Sequence, residues 1–178
     1  MKYILVIFYN YFFTNLKNCY IVIHILENTS ENILLLAYTN RAVDEICEAI
    51  HDFAEEDYLR IGSKYSTNPH FHGRLFSEQT KDISKRKALV EKITSHRIFV
   101  STVASIASKA SLLKLKQFDT AIIDEASQIL EPMLIGMLPY FKRFVLIGDH
   151  KQLPAVVLQE KTRSAVEDKA LNNIGLYN

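Results

Sequence analysis

Short apolar runs, separated by polar or amphipathic stretches, fill most of the chain from Glu31 onward. A short continuous apolar run bounded by polar residues is typical of a strand that is buried on both faces of a sheet. The runs predict strands at residues 32–38, 58–63, 97–102, 119–125 and 143–149.

The stretches between these predicted strands have helical patterns. In residues 41–57 the apolar positions recur at three- and four-residue spacing, which predicts one buried helix face: Val43, Ile46, Ile50 and Phe53. Residues 103–115 are also predicted to be helical, and Pro132 suits the first turn of a short helix over residues 132–141. Residues 64–95 have the weakest pattern, and we expect an excursion on the domain surface there.

Strands that alternate with helices predict βαβ crossovers. The expected fold is therefore α/β, with a mostly parallel sheet and helices on both of its faces. A chain of 178 residues is long enough for one such domain with a full core.

Two apolar, aromatic runs, residues 3–13 and 20–26, stand at the start of the chain. Neither run reaches the ~20 residues that a membrane helix needs. A single span across both would place Asn10, Lys17 and His24 in lipid, which is unfavourable. We therefore expect no membrane association and a cytoplasmic location, with a membrane-tethered interaction protein as the less favoured alternative.

Charge and cysteine content add little to this picture. The formal net charge of +1 gives no strong basic field that would indicate nucleic-acid binding, although a local basic stripe can exist inside a neutral total. The two cysteines, Cys19 and Cys47, lack the spacing of a zinc site and are predicted to be reduced, apolar filler residues.

Polar pairs follow or end several of the predicted strands. In an open parallel sheet such pairs meet at one edge, where ligands bind beyond the carboxyl ends of the strands. The pairs are Thr39 and Asn40, Ser101 and Thr102, Asp124 and Glu125, and Gly148 and Asp149.

Adjacent carboxylates at such an edge suit a hard cation. Asp124 could hold Mg²⁺ while Glu125 orients or activates a water, as in the hydrolysis of nucleoside triphosphates. The alternative is that both carboxylates only solvate a strand end and cap the next helix. Gly148 allows a sharp turn, and Gln152 can both donate to a phosphate oxygen and accept from a water.

The combined motifs resemble superfamily 1 helicases of the Upf-like group, which are ATP-dependent and act on DNA or RNA. "IIDEASQ" and "LIGDHKQLP" resemble their motifs II and III, while "LLLAYTNRAVDEI", "LRIG" and "VSTVAS" resemble motifs Ia, Ib and Ic. The resemblance runs from Ile33 to about Val157. It implies a three-layer RecA-like P-loop NTPase fold, here incomplete: an atypical segment over 1–30, a partial ATPase domain over 31–160 and a tail over 161–178.

The resemblance also implies roles for single residues. Asp124 would coordinate Mg²⁺, Glu125 would be the general base, and Gln152 would sense the γ-phosphate. Asp149 and Gly148 would shape the loop of Gln152, and Gln128 would support the same site. Single-stranded DNA or RNA would be gripped through its backbone by Thr39, Asn40, Ser101 and Thr102. Arg41 and Arg60 could add positive charge, although the favoured role for both is a solvated surface position.

The P-loop of this family has no counterpart in the chain. None of the five glycines is followed by Lys, and the first is Gly62. We therefore expect ATP and Mg²⁺ to be cofactors of the intact family and to bind weakly here. Residues 3–9 are predicted to replace the P-loop strand in the centre of the sheet. A second RecA-like domain is also expected to be missing, so a non-catalytic RecA-like module that binds nucleic acid or a protein stays open as an alternative.

Overall fold

The computed structural model describes residues 3–8, 14–148 and 165–173. Its strands form one six-stranded sheet in which every pairing is parallel, in the order β1-β6-β5-β2-β4-β3. The strands are β1 (Tyr3–Phe8), β2 (Ile33–Ala37), β3 (Tyr58–Ile61), β4 (Ile98–Thr102), β5 (Thr120–Ile123) and β6 (Arg143–Gly148). The predicted α/β fold with a parallel sheet is confirmed.

The described helices lie between these strands along the chain, except the last one, which follows β6. They are α1 (Thr14–Asn28), α2 (Asn40–Ala54), α3 (Phe76–Thr80), α4 (Arg86–Ser95), α5 (Val103–Ala107), α6 (Ala110–Leu115), α7 (Glu131–Ile135) and α8 (Lys169–Asn173). The predicted helix over 103–115 is divided into α5 and α6. Pro132 lies in the first turn of α7, as predicted.

Both faces of the sheet are covered, which gives three layers. Alternate residues of the strands enter two separate apolar clusters, because successive side chains of a strand point to opposite faces. On one face Leu34 and Leu36 pack in the same cluster as buried residues of α5, α6 and α7. On the other face Ile33 and Leu35 pack in the cluster that holds α2 and Val22 of α1.

Helix α2 follows the predicted pattern with one exception. Val43, Ile46 and Ile50 are buried, but Phe53 is 38% exposed, so the prediction for Phe53 is wrong. The buried face is completed by Ala54, which follows Ile50 at the four-residue spacing of one helix face. Cys47 is free and buried on this face, as predicted for an apolar filler residue, and burial raises the pKa of its thiol to about 12.

The start of the chain forms part of the sheet. The strand predicted over residues 3–9 is confirmed as β1, which pairs with β6 from Tyr3–Arg143 to Phe8–Gly148. In the described sheet it lies at the edge and not in the centre, because it pairs with β6 alone. No described helix is both long and apolar enough to pass through a lipid bilayer.

The segment over 64–95 is more than a surface excursion, which corrects the expectation from sequence. Phe71 belongs to the apolar cluster under α2, and Ile93 belongs to the cluster on the opposite face. Leu75 is fully buried and forms a parallel bridge with Arg60 of β3. These apolar anchors are spaced too widely in the sequence to give a helix or strand period.

Candidate functional site

The carboxyl ends of the parallel strands lie along one side of the sheet, which we call the carboxyl edge. It is formed by Gly148 at the end of β6, by Asp124 and Glu125 after β5, and by Thr39 and Asn40 after β2. Because β5 lies between β6 and β2, the two carboxylates occupy the middle of this edge.

Asp124 is held in place by hydrogen bonds to the neighbouring strand β2 and to the next residue, Glu125. Its backbone N–H donates to the carbonyl of Leu36 at 2.7 Å, which continues the pairing of β5 with β2 by one residue. Its side chain is buried, and Oδ1 accepts a hydrogen bond from the backbone N–H of Glu125 at 2.9 Å. The carboxylate is therefore fixed against the turn that follows the strand.

Glu125 has left-handed backbone angles, with φ 53° and ψ 33°. It is the one non-glycine residue with positive φ in the described part of the chain. This conformation costs an L-residue about 1–3 kcal/mol and persists where the surroundings enforce it, often at functional sites. Here the N–H of Gln128 donates to the carbonyl of Glu125 at 2.9 Å and closes a 3-10 turn over Ala126–Gln128.

The surroundings of Glu125 make its carboxylate more basic. Burial raises the pKa of Glu125, and the nearby negative charges of Asp124 and Glu45 raise it further. Its Oε2 atom is buried and finds no hydrogen-bond partner among the described residues. A carboxylate with a raised pKa and a free acceptor atom is suited to accept a proton from a bound water.

Gly148 meets the same turn from the neighbouring strand. A Cβ added to Gly148 would lie 3.2 Å from the backbone N and 3.5 Å from the Oγ of Ser127. Glycine at this position thus permits a close approach between the end of β6 and the Ala126–Gln128 turn, which a Cβ would disturb. Ser127 was missed from sequence, where only its position within "DEASQ" gave a signal.

Asp149 and Gln152, which were predicted to shape the site and to sense a phosphate, lie outside the described residues. Gln128, predicted to support the site, is half-buried in the turn that follows Glu125.

Thr39 and Asn40, predicted to contact nucleic acid, are placed at the start of α2. Thr39 is exposed and caps this helix, since its Oγ1 accepts from the N–H of Ala42 at 3.1 Å. Asn40 is the first residue of α2 and is half-buried. Both residues therefore border the carboxyl edge, and Thr39 presents surface to solvent.

Ser101 and Thr102, the other pair with this predicted role, are buried. The hydroxyl of Ser101 donates to the backbone carbonyls of Ile61 at 3.3 Å and Thr102 at 3.0 Å. Thr102 caps α5, where its Oγ1 accepts from the N–H of Ser105 at 3.1 Å. The fully enclosed Ser101 has no surface to offer a nucleic-acid strand, so a contact by Ser101 is contradicted by its packing.

Arg41 and Arg60, the two arginines considered as sources of positive charge, differ in exposure. Arg41 is exposed and pairs with Glu45 at 3.1 Å between Nε and Oε1. Arg60 is fully buried, and its Nη2 lies 2.9 Å from Oδ1 of Asp44. The expectation of a solvated position is thus wrong for Arg60, because its side chain points under α2.

The residues present fit a hydrated magnesium ion at Asp124. A buried, oriented carboxylate beside a second acidic side chain supplies the oxygen ligands that Mg²⁺ prefers, with waters completing its shell. Among the described residues no group of three or more His, Cys, Asp or Glu side chains could hold a metal ion unaided. A cation here would depend on water or phosphate oxygens for the rest of its ligands.

Comparison with known proteins agrees with this arrangement. Residues 72–160 match the family model of an AAA domain. The DNA replication ATP-dependent helicase/nuclease DNA2 of Mus musculus is 34% identical over 147 residues, which cover 80% of this chain and 13% of that protein. Its counterpart in Saccharomyces cerevisiae is 32% identical over 142 residues, covering 80% of this chain and 9% of that protein. The resemblance to superfamily 1 helicases is confirmed.

A solved structure supports the fold. The crystal structure of T4 UvsW covers 98% of this chain, and this chain covers 30% of it, with a TM-score of 0.56 and 15% sequence identity. At this identity the likeness concerns the fold alone. The chain spans a small part of the curated relatives, so the activities in their names describe those longer proteins.

Proposed function

Since this chain belongs to the AAA domain family, we propose that its carboxyl edge is the metal- and water-binding half of an ATP hydrolysis site, in a superfamily 1 helicase that acts on single-stranded DNA or RNA. The observation that carries this proposal is the strained, left-handed Glu125 beside the buried Asp124 at the end of β5. Strain is retained at this position although Gly or Asn would relieve it, as expected where a side chain has a function.

The two carboxylates divide the work. Asp124 would hold the hydrated cation, which when bound supplies positive charge to the phosphates. Glu125, whose pKa is raised by burial first and by Asp124 and Glu45 next, orients a water and accepts its proton. In this scheme Asp149 and Gln152 shape and sense the phosphate side, and Gln128 supports the turn.

The sequence has no P-loop to form the phosphate-binding half of such a site, since no glycine precedes Gly62. Charge-assisted hydrogen bonds are worth roughly 1.5–3 kcal/mol each, so losing two of them weakens binding by about two to four orders of magnitude. We therefore expect millimolar affinity for ATP and little or no turnover by this chain alone. The whole helicase activity would need the parts that the longer relatives contain.

Nucleic acid would run along the carboxyl edge across the start of α2. Thr39 is exposed, Asn40 is half-buried and the exposed Arg41 follows them, which supports this path. Contacts of this type grip a strand without reading its sequence. A fluorescence anisotropy titration with a labelled single strand at low salt tests this path, and loss of affinity in Arg41→Ala with no change in Lys87→Ala is the expected result.

A titration with a fluorescent ATP analogue, with and without Mg²⁺, tests the hydrolysis site. We expect weak binding that Mg²⁺ strengthens, and we expect Asp124→Asn to abolish the Mg²⁺ effect. Asp52→Asn, which changes an exposed carboxylate on α2, is the control and leaves binding as it was. Binding that ignores Mg²⁺, or no binding at millimolar nucleotide, would reject the proposal and favour a RecA-like module without catalysis.

A further inference from the structure

Two buried polar atoms lack partners on the turn after β5. Oε2 of Glu125 and Oγ of Ser127 are both buried, and neither has a hydrogen-bond partner among the described residues. Buried polar atoms are almost always satisfied, by protein or by ordered water, since an unsatisfied one costs about 1–3 kcal/mol. Two such atoms within three residues of each other are thus an exception that needs a physical explanation.

The position of Ser127 indicates where a partner for its hydroxyl would lie. Its backbone N and its Oγ lie against the end of β6, at 3.2 Å and 3.5 Å from the place where a Cβ of Gly148 would be. Gly148 is the partner of Phe8 in the register of β1 with β6. The Ser127 side chain therefore lies where the carboxyl ends of β5 and β6 meet, next to the end of β1, which is where parallel sheets bind ligands.

One kind of partner can satisfy the hydrogen-bonding capacity of both atoms, Oε2 of Glu125 and Oγ of Ser127. A carboxylate oxygen only accepts hydrogen bonds, whereas a hydroxyl can donate and accept. A water molecule can donate to the carboxylate and accept from the hydroxyl at once, and buried waters typically bind to two to four such groups. A phosphate oxygen fits the hydroxyl but would be repelled by the ionised carboxylate, so it does not satisfy both.

We propose that Ser127 is a positioning residue, whose hydroxyl fixes a water molecule against Oε2 of Glu125. This inference rests on the proposed function for its catalytic meaning, because the same water is the one that Glu125 would activate. Ser127 does not touch the reacting phosphate in this arrangement. Glu125 alone could bind this water in several orientations, and the hydroxyl of Ser127 restricts it to one.

The test is a high-resolution crystal structure of the full chain, without nucleotide, together with two variants. We expect an ordered water within hydrogen-bond distance of both atoms in the unmodified chain. Ser127→Ala should lose this water, and Ser127→Thr, which keeps the hydroxyl, should restore it. Ser105→Ala removes a hydroxyl that bonds to Thr102 on β4 and is the matched control, which should keep the water.

Solution NMR gives a second measurement on the same variants. Water–amide Overhauser effects at Glu125 and Ser127 should be present in the unmodified chain and in Ser127→Thr, and absent in Ser127→Ala. Equal urea midpoints for the variants verify that each is folded, so a merely structural role of Ser127 would not reproduce this pattern.

The outcomes separate this inference from the proposed function. A direct hydrogen bond between Ser127 and Glu125 with no water between them, or a water that persists in Ser127→Ala, overturns the positioning role. Neither result depends on nucleotide. Failure of the ATP titration would reject the hydrolysis site while leaving the bound water and its dependence on Ser127 intact.

Discussion

Nη2 of the fully buried Arg60 lies 2.9 Å from Oδ1 of Asp44, which links strand β3 to the second turn of α2. The N–H directions of the guanidinium do not meet hydrogen-bond geometry with that oxygen, so the contact is an ion pair held by charge. The other oxygen of Asp44 accepts from the N–H of Asn68 at 3.1 Å. Asp44 thus neutralises a buried cation and also holds the segment after β3.

Removing Asp44 should therefore destabilise the fold strongly. Asp44→Ala leaves the charge of Arg60 buried without compensation, and breaking a buried pair in this way costs about 3–5 kcal/mol. Arg60→Met replaces the cation by an apolar side chain of similar length, and a smaller loss is expected. Urea unfolding of both variants measures the difference, and an Asp44→Ala variant as stable as Arg60→Met would contradict the expected cost of leaving the charge of Arg60 uncompensated.

Glycine in place of Glu125 should stabilise the fold. The left-handed conformation at φ 53° is strained for Glu and not for Gly, so Glu125→Gly is expected to gain about 1 kcal/mol of unfolding free energy. The same change at Glu48, an exposed position within α2, should lose about 1 kcal/mol because Gly weakens a helix interior. Thermal unfolding compares the two. If Glu125→Gly is destabilised instead, the contacts of the Glu125 side chain stabilise the fold by more than its backbone strain destabilises it.

Alanine should not be tolerated at Gly148. Its Cβ would lie 3.2 Å from the backbone N of Ser127, so the turn after β5 must move, at an expected cost of about 1–3 kcal/mol. Gly136 is the matched control, because a Cβ there meets nothing within 4 Å and its φ of −63° is helical. Gly136→Ala should be neutral or stabilising by about 0.4–1 kcal/mol. Equal effects at the two glycines, measured by urea unfolding, would contradict the close approach.

Much of the fold was predictable because the strands are buried on both faces. Residues 33–37 are all buried in β2, and a continuous apolar run is what such a strand requires. The order of the polar pairs along the chain likewise placed Asp124 and Glu125 at the carboxyl edge. Both predictions follow from the fixed geometry of parallel crossovers, and so they needed no knowledge of side-chain packing.

Other features depend on contacts between residues that are distant in sequence. Ser101 has the sequence context of a strand-end hydroxyl, but its neighbour in space is the carbonyl of Ile61 on β3, which no local pattern reveals. Arg60 is charged and would be expected at the surface, yet it is buried because Asp44, 16 positions earlier in the chain, compensates its charge. The left-handed turn at Glu125 is equally invisible, since Glu has no preference for that conformation.

His96 should make the fold sensitive to mildly acidic conditions. It is buried at the C-terminal end of α4, and burial lowers the pKa of its imidazole from 6.5, although its hydrogen bond to the carbonyl of Lys92 at 2.9 Å opposes this. The charges of Lys92 and Arg74 lower this pKa further, while Asp57 raises it.

The sign of the pH effect follows from that direction. Between the lowered pKa of the folded state and 6.5, the unfolded chain binds more protons at this position than the folded chain. The free energy of unfolding should therefore fall as the pH drops below 6.5, by at most about 1.4 kcal/mol per pH unit from this one group. His96→Gln, which cannot take up a proton, should reduce the slope. A slope between pH 6.5 and 5 that is identical in the unmodified chain and in His96→Gln would assign the acid sensitivity to other groups.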